Sequence, residues 1–72
     1  MNKRYHGIGK RFAVLRGGRS YRQFEKDTKI SQALLQRYET NGGLPSTENL
    51  IKLARAEKLD IHWLLLGRGH MS

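Results

Sequence analysis

Four side chains in one short segment can read a hydrogen-bonding surface. Gln32 and Gln36 stand four residues apart, with Ala33 and Arg37 beside them. A glutamine amide donates and accepts at once, which matches adenine N6 and N7; a guanidinium matches guanine O6 and N7 or a phosphate; a methyl group matches thymine. Each residue has a plainer role open to it. Gln32 and Gln36 are also ordinary surface residues, Ala33 a helix former, and Arg37 a partner for Glu25 or Glu39. Other chemistry is poorly represented. His6, His62 and His70 are scattered, cysteine is absent, and no acids sit at ligand spacing, so no metal is expected. Ser20, Ser31 and Ser46 read as helix caps rather than nucleophiles. No acid, base and nucleophile converge, so neither an enzyme, a cofactor nor a small-molecule ligand is expected.

These residues need a helix to present them. Ser20 with Gln23 three residues on is a capping-box pattern, which predicts a helix over about Tyr21 to Lys29. Ser31, just after Ile30, starts another over about Gln32 to Thr40, with Leu35 and Tyr38 inward; Asn41 takes the left-handed conformation before Gly42-Gly43. Two short helices joined by a tight turn form a helix-turn-helix, whose second helix enters a DNA major groove. Around it, Ile8, Phe12 and Leu15 predict a helix over Ile8 to Arg16 that Gly17-Gly18 ends. Pro45-Ser46 opens a fourth helix with Leu50, Leu53 and Ala54 on its apolar stripe. Asp60 caps a fifth, Ile61 to Leu66, ended by Gly67. Gly7-x-Gly9 reads as a loop feature. The expectation is an all-α fold of five helices in one domain over 1–72, with a basic arm at 1–6 and a flexible tail at 68–72. Leu50, Leu59, Trp63 and Leu64 join Ile8, Phe12, Leu15, Phe24, Ile30, Leu35, Tyr38 and Leu53 in the expected core.

The formal charge is +8 over 72 residues. Lys3, Arg4, Lys10, Arg11, Arg16, Arg19 and Arg22 hold seven of the fourteen basic charges, and no acid precedes Glu25. Such asymmetry points to a polyanionic partner rather than to a merely solvated face. No apolar run is long enough to span a bilayer, and the narrow Ile8-Phe12-Leu15 stripe argues against a membrane-surface helix. Neither a secretory signal nor a membrane partner is expected, and a cytoplasmic location fits.

Taken in register, Ser20, Phe24, Ile30-Ser31, Tyr38-Glu39-Thr40-Asn41 and Pro45-Ser46, with the ending Asp60 to Gly67, resemble the Cro/cI-type helix-turn-helix family, the N-terminal DNA-binding domains of phage repressor-like regulators. The resemblance spans about Phe12 to Gly69. It implies a five-helix repressor-like fold and sequence-specific binding of a double-stranded operator by a transcriptional regulator, most simply a phage or prophage repressor. It implies a homodimer on a near-palindromic site with half-sites about 34 Å apart. Base contacts then fall to Gln32, Ala33, Gln36 and Arg37. Phosphate contacts fall to Lys3, Arg4, Tyr21, Arg22, Ser31 and the Gly42 and Gly43 N–H groups, and a dimer surface to Ile61, Leu65 and Leu66. Three residues depart from the family pattern: Tyr21 replaces a usual phosphate-binding Gln, Glu25 a usual Ala, and Lys29 a usual Gly in the turn. An antitoxin that binds a toxin partner and its own promoter uses the same fold and is the alternative, with non-specific nucleic-acid binding behind it.

Overall fold

Side-chain oxygens set most of the helix starts in this chain. A computed structural model describes residues 7–71. Among them are α1 (Ile8–Arg16), α2 (Tyr21–Thr28), α3 (Gln32–Asn41), α4 (Thr47–Glu57) and α5 (Ile61–Leu66), and no strand. Ser20, Ser31 and Ser46 each accept from the N–H three residues on, at 3.1, 3.2 and 3.2 Å. Asp60 Oδ1 accepts from the His62 N–H at 2.9 Å. Each such bond satisfies an orphan donor and contributes about 1 kcal/mol. The capping box at Ser20 is only half formed: the Gln23 side chain points forward and donates to Asp27 Oδ1 at 2.8 Å instead of returning to Ser20.

The helix ends hold two differences from the sequence expectations. Asn41 stays helical as the last residue of α3, and Gly42 takes the left-handed conformation at φ 66°. Gly has no Cβ to clash there, so the helix runs one residue further. Lys29, expected as the last residue of its helix, lies just past α2 as its cap at φ 67°, a left-handed conformation that strains a residue with a Cβ, while Lys58 ends α4 at φ 51° with no forewarning in the sequence.

The helices close over Ile8, Phe12 and Leu15 of α1, Phe24, Ile30, Leu35, Tyr38, Leu53, Leu59 and Leu64, all buried. Full burial of such a side chain stabilises by about 1.5–3 kcal/mol. The Phe12 and Tyr38 rings meet at 5.2 Å, tilted by 34°. Thr28 is buried too; its hydroxyl donates to Phe24 O and accepts from the Ile30 N–H. Leu50 and Trp63, expected in the core, only pack against its edge and stay partly exposed. The tail expected to be flexible is tied back to the start of α5, with the Met71 carbonyl accepting from the Asp60 N–H at 2.8 Å.

Gly9 is not in a loop. It lies inside α1, where α1 crosses the end of α3, and a Cβ there would collide with the Glu39 carbonyl oxygen. Only glycine permits that approach. Gly9→Ala should therefore destabilise by about 1–3 kcal/mol, the range for overpacking a tight site. That corresponds to a drop in Tm of at least about 4 °C for a domain of this size. Gly18→Ala, with nothing within 4 Å of its Cβ position, should leave Tm unchanged or slightly raised. Equal melting curves for wild type and Gly9→Ala would show that the crossing can relax.

Candidate nucleic-acid interface

The turn between α2 and α3 is built from three residues with separate tasks. Lys29 reverses the backbone, with its N–H donating to Glu25 O at 2.8 Å. Ile30 is buried and pins the turn to the core, and Ser31 caps α3. With Leu35 and Tyr38 buried, α3 turns the opposite side outward: Gln32, Ala33, Gln36 and Arg37 are all exposed. The row at i, i+1, i+4 and i+5 is thus one open face of a helix whose other face is fixed.

The four residues are not equally free. Gln32 Nε2 donates to Glu25 Oε1 at 3.0 Å, across the turn. Glu25 therefore pairs with Gln32 and not with Arg37. Glu39 is held by Arg16, so neither acid considered for Arg37 is its partner. Among the described residues Arg37 forms no ion pair. Thr40, next on the same side, turns its hydroxyl back onto the Gln36 carbonyl at 2.8 Å.

The residues expected at phosphates divide similarly. Arg22 is exposed at the start of α2. Ser31 accepts a backbone N–H, which leaves its own O–H available as a donor. Gly42 donates its N–H to Tyr38 O at 3.1 Å within the α3 cap, so that donor is occupied. Tyr21 is half-buried. Its ring lies under the Arg16 guanidinium at 4.4 Å, and burial, then the neighbouring Glu39 carboxylate, push its hydroxyl above the usual tyrosine range. Its hydroxyl sits beside the Arg16–Glu39 pair. Lys3 and Arg4 lie outside the described residues. Of the expected dimer residues, Ile61 and Leu65 pack against the core, and only Leu66 of α5 is an exposed large apolar side chain.

The basic N-terminal half needs the largest correction. Three of its arginines are structural. Arg11 Nε donates to Leu64 O at 2.7 Å and Nη2 to Leu65 O at 3.1 Å, which satisfies carbonyls at the end of α5. Arg16 grips Glu39 through two bonds of 2.9 and 2.8 Å. Arg19 grips Glu57 through bonds of 3.0 and 2.7 Å, reaches Asp27 at 3.0 Å, and lies over the Phe24 ring at 4.6 Å. These pairs join residues 23 and 38 apart, so no local spacing reveals them. Instead Arg22, Lys26, Lys29 and Arg37 leave exposed positive charge on the helix-turn-helix itself; Lys26 and Lys29 are cations that sequence reasoning passed over. Among the described residues no group of three His, Asp or Glu gathers to hold a metal.

The Arg16–Glu39 pair has a pH signature. The Arg16 bonds hold the Glu39 carboxyl below its ordinary value of 4.5, against the opposing effect of burial. A depressed native value means that the pair stabilises fully above the unfolded value and is lost as pH falls from about 4.5 through the native one. Glu39→Gln should lower stability at pH 7 by about 1.5–3 kcal/mol, the range for bonds to charged groups. The gap between variant and wild type should narrow on acidification below 4.5. Urea midpoints at pH 7 and pH 3 measure both; a gap that persists at pH 3 would assign the loss to packing.

The helix-turn-helix family matches residues 11–64, well over half of the chain, from Arg11 to Leu64. No curated protein and no solved structure matches. No helix among the described residues is long and apolar enough to cross a membrane. The matched span contains the capped α2, the left-handed turn and the open face of α3, and the chain belongs to the Cro/cI-type helix-turn-helix family of DNA-binding transcriptional regulators.

Proposed function

We propose that this protein is a repressor of the phage or prophage type, which occupies a near-palindromic operator as a homodimer with α3 in the major groove. The observation that carries the reading is the open row on α3: polar and small side chains outward, Leu35 and Tyr38 fixed behind them. Gln32, at the N-terminal tip where this motif meets base edges, reads adenine. Gln36 and Arg37 reach further bases, Arg37 with a guanine or a phosphate, and Ala33 touches a thymine methyl. Arg22, the Ser31 hydroxyl and the Gly43 N–H bind phosphates, with Lys3 and Arg4 of the arm. Tyr21 supports that surface by holding Arg16 and Glu39 in place. Occupancy of the operator excludes polymerase, and the site of action is the cytoplasm of a bacterial cell or phage-infected host.

The dimer contact is proposed on α5 around Leu66, flanked by the partly buried Ile61 and Leu65. Three side chains make a patch well short of the roughly 800 Å² per partner of a stable interface. Adjacent half-sites raise the effective concentration of a second copy, so association shows as cooperativity on DNA.

Two measurements test the proposal. Gln32→Ala should weaken operator binding by about 1–3 kcal/mol and leave binding to random duplex nearly unchanged. An equal loss on both duplexes would reduce Gln32 to a backbone contact. Leu66→Glu should abolish cooperative filling of adjacent half-sites and keep single half-site affinity. A dimer that sediments intact at nanomolar concentration, with or without that substitution, would place the interface elsewhere.

A further inference from the structure

Gln32 does not meet DNA with a free amide. Its Nε2 is held by Glu25 Oε1 at 3.0 Å, between residues seven apart on the two helices of the motif. A carboxylate only accepts hydrogen bonds, so the amide nitrogen of Gln32, not its oxygen, faces Glu25. A primary amide carries two N–H donors and one carbonyl acceptor. With one N–H occupied, what remains is one donor and one acceptor. That remainder complements adenine, whose N7 accepts and whose N6 donates in the major groove. Guanine offers two acceptors there, N7 and O6. A freely turning glutamine can bring both N–H groups to guanine; one held by Glu25 has a single donor left.

We infer that Glu25 is a specificity-determining positioning residue, which fixes the Gln32 amide in the orientation that accepts adenine and refuses guanine. The inference rests on the reading above that Gln32 contacts a base. The Glu25 carboxylate acts a second way. It belongs to a motif whose exposed cations are Arg22, Lys26, Lys29 and Arg37, and its negative charge weakens attraction to any phosphate backbone regardless of sequence. Binding to wrong sequences falls by electrostatics while the right base keeps its hydrogen bonds, so the difference that defines specificity grows.

Selection of sites from random duplexes, with the full chain, tests this through base preference at one position. Wild type should enrich A at one position of each half-site, and Gln32→Ala should erase enrichment there alone. Glu25→Ala should lower the A-over-G preference at that same position about tenfold, within the range one bidentate base contact supplies, and should raise affinity for random duplex. Alanine is the best helix former, and thermal unfolding confirms that the variant is folded. Glu25→Gln keeps an oxygen that can accept from Gln32 but loses the charge. It should retain the A preference while sharing the gain on random duplex. In the Gln32→Ala background, Glu25→Ala should change nothing further at that position. An A-over-G ratio unchanged in Glu25→Ala, with enrichment erased in Gln32→Ala, overturns the positioning role and leaves base reading by Gln32 intact. Loss of preference in Glu25→Gln as large as in Glu25→Ala assigns the effect to charge and also overturns it. Enrichment that survives Gln32→Ala overturns base reading itself, and the inference with it.

Discussion

The crossing of α1 over the end of α3 is the constraint on which the rest of the fold depends. Gly9 lets the α1 backbone reach the Glu39 carbonyl, and the Glu39 side chain is gripped from the other end of α1 by Arg16. One residue of α3 is therefore fixed at both its backbone and its carboxylate by one helix. Phe12 and Tyr38 fill the space between. A packed interior resists small changes of volume, so α3 has little freedom to roll. Its inward face is settled by α1, and the outward face follows with no further specification.

The arginines show how a strongly basic chain divides its charge between interior and surface. A guanidinium presents paired donors that match a carboxylate in two bonds, a geometry lysine cannot offer. Arg16 and Arg19 both use it, on Glu39 and Glu57, with side chains only partly exposed. These pairs tie α1 to α3, and the segment after α1 to α4, as bolts between elements. Charges so engaged add little to phosphate binding at close range, where each contact must release a counterion from the DNA to count. Among the described residues, the cations of α2 and α3 without acidic partners, Arg22, Lys26 and Arg37, are all exposed.

Helix boundaries were legible because their causes are local. A serine cap, a glycine stop and an apolar residue every third or fourth position act within one turn of chain, and α1 and α5 run as their spacing implies. The exposed face of α3 was legible for the same reason. What escaped lies across the fold. The Gly9 crossing, the Arg16–Glu39 and Arg19–Glu57 pairs and the Arg11 bonds to α5 depend on which helices end up adjacent, and periodicity carries no information on that. Leu50 and Trp63 have the right spacing for burial, yet ten other apolar side chains already fill the interior. Composition alone overstated the N-terminal charge because it cannot tell a solvated arginine from an engaged one.

The turn joins these themes in one residue. Glu25 stands where relatives of this fold usually have alanine. Its backbone carbonyl receives the Lys29 N–H that closes the left-handed cap of α2, and its side chain receives Gln32 from the first turn of α3. Lysine in that conformation costs about 1 kcal/mol relative to glycine. A glycine would relieve the strain, but it would remove a cation from the surface beside α3 and loosen the unfolded chain. The Glu25 side chain spans the turn that Lys29 strains, so two departures from the family pattern act on one joint. They bear on how the turn sets α3 against α2 and how the leading amide of α3 is held, and the core behind them is untouched by either.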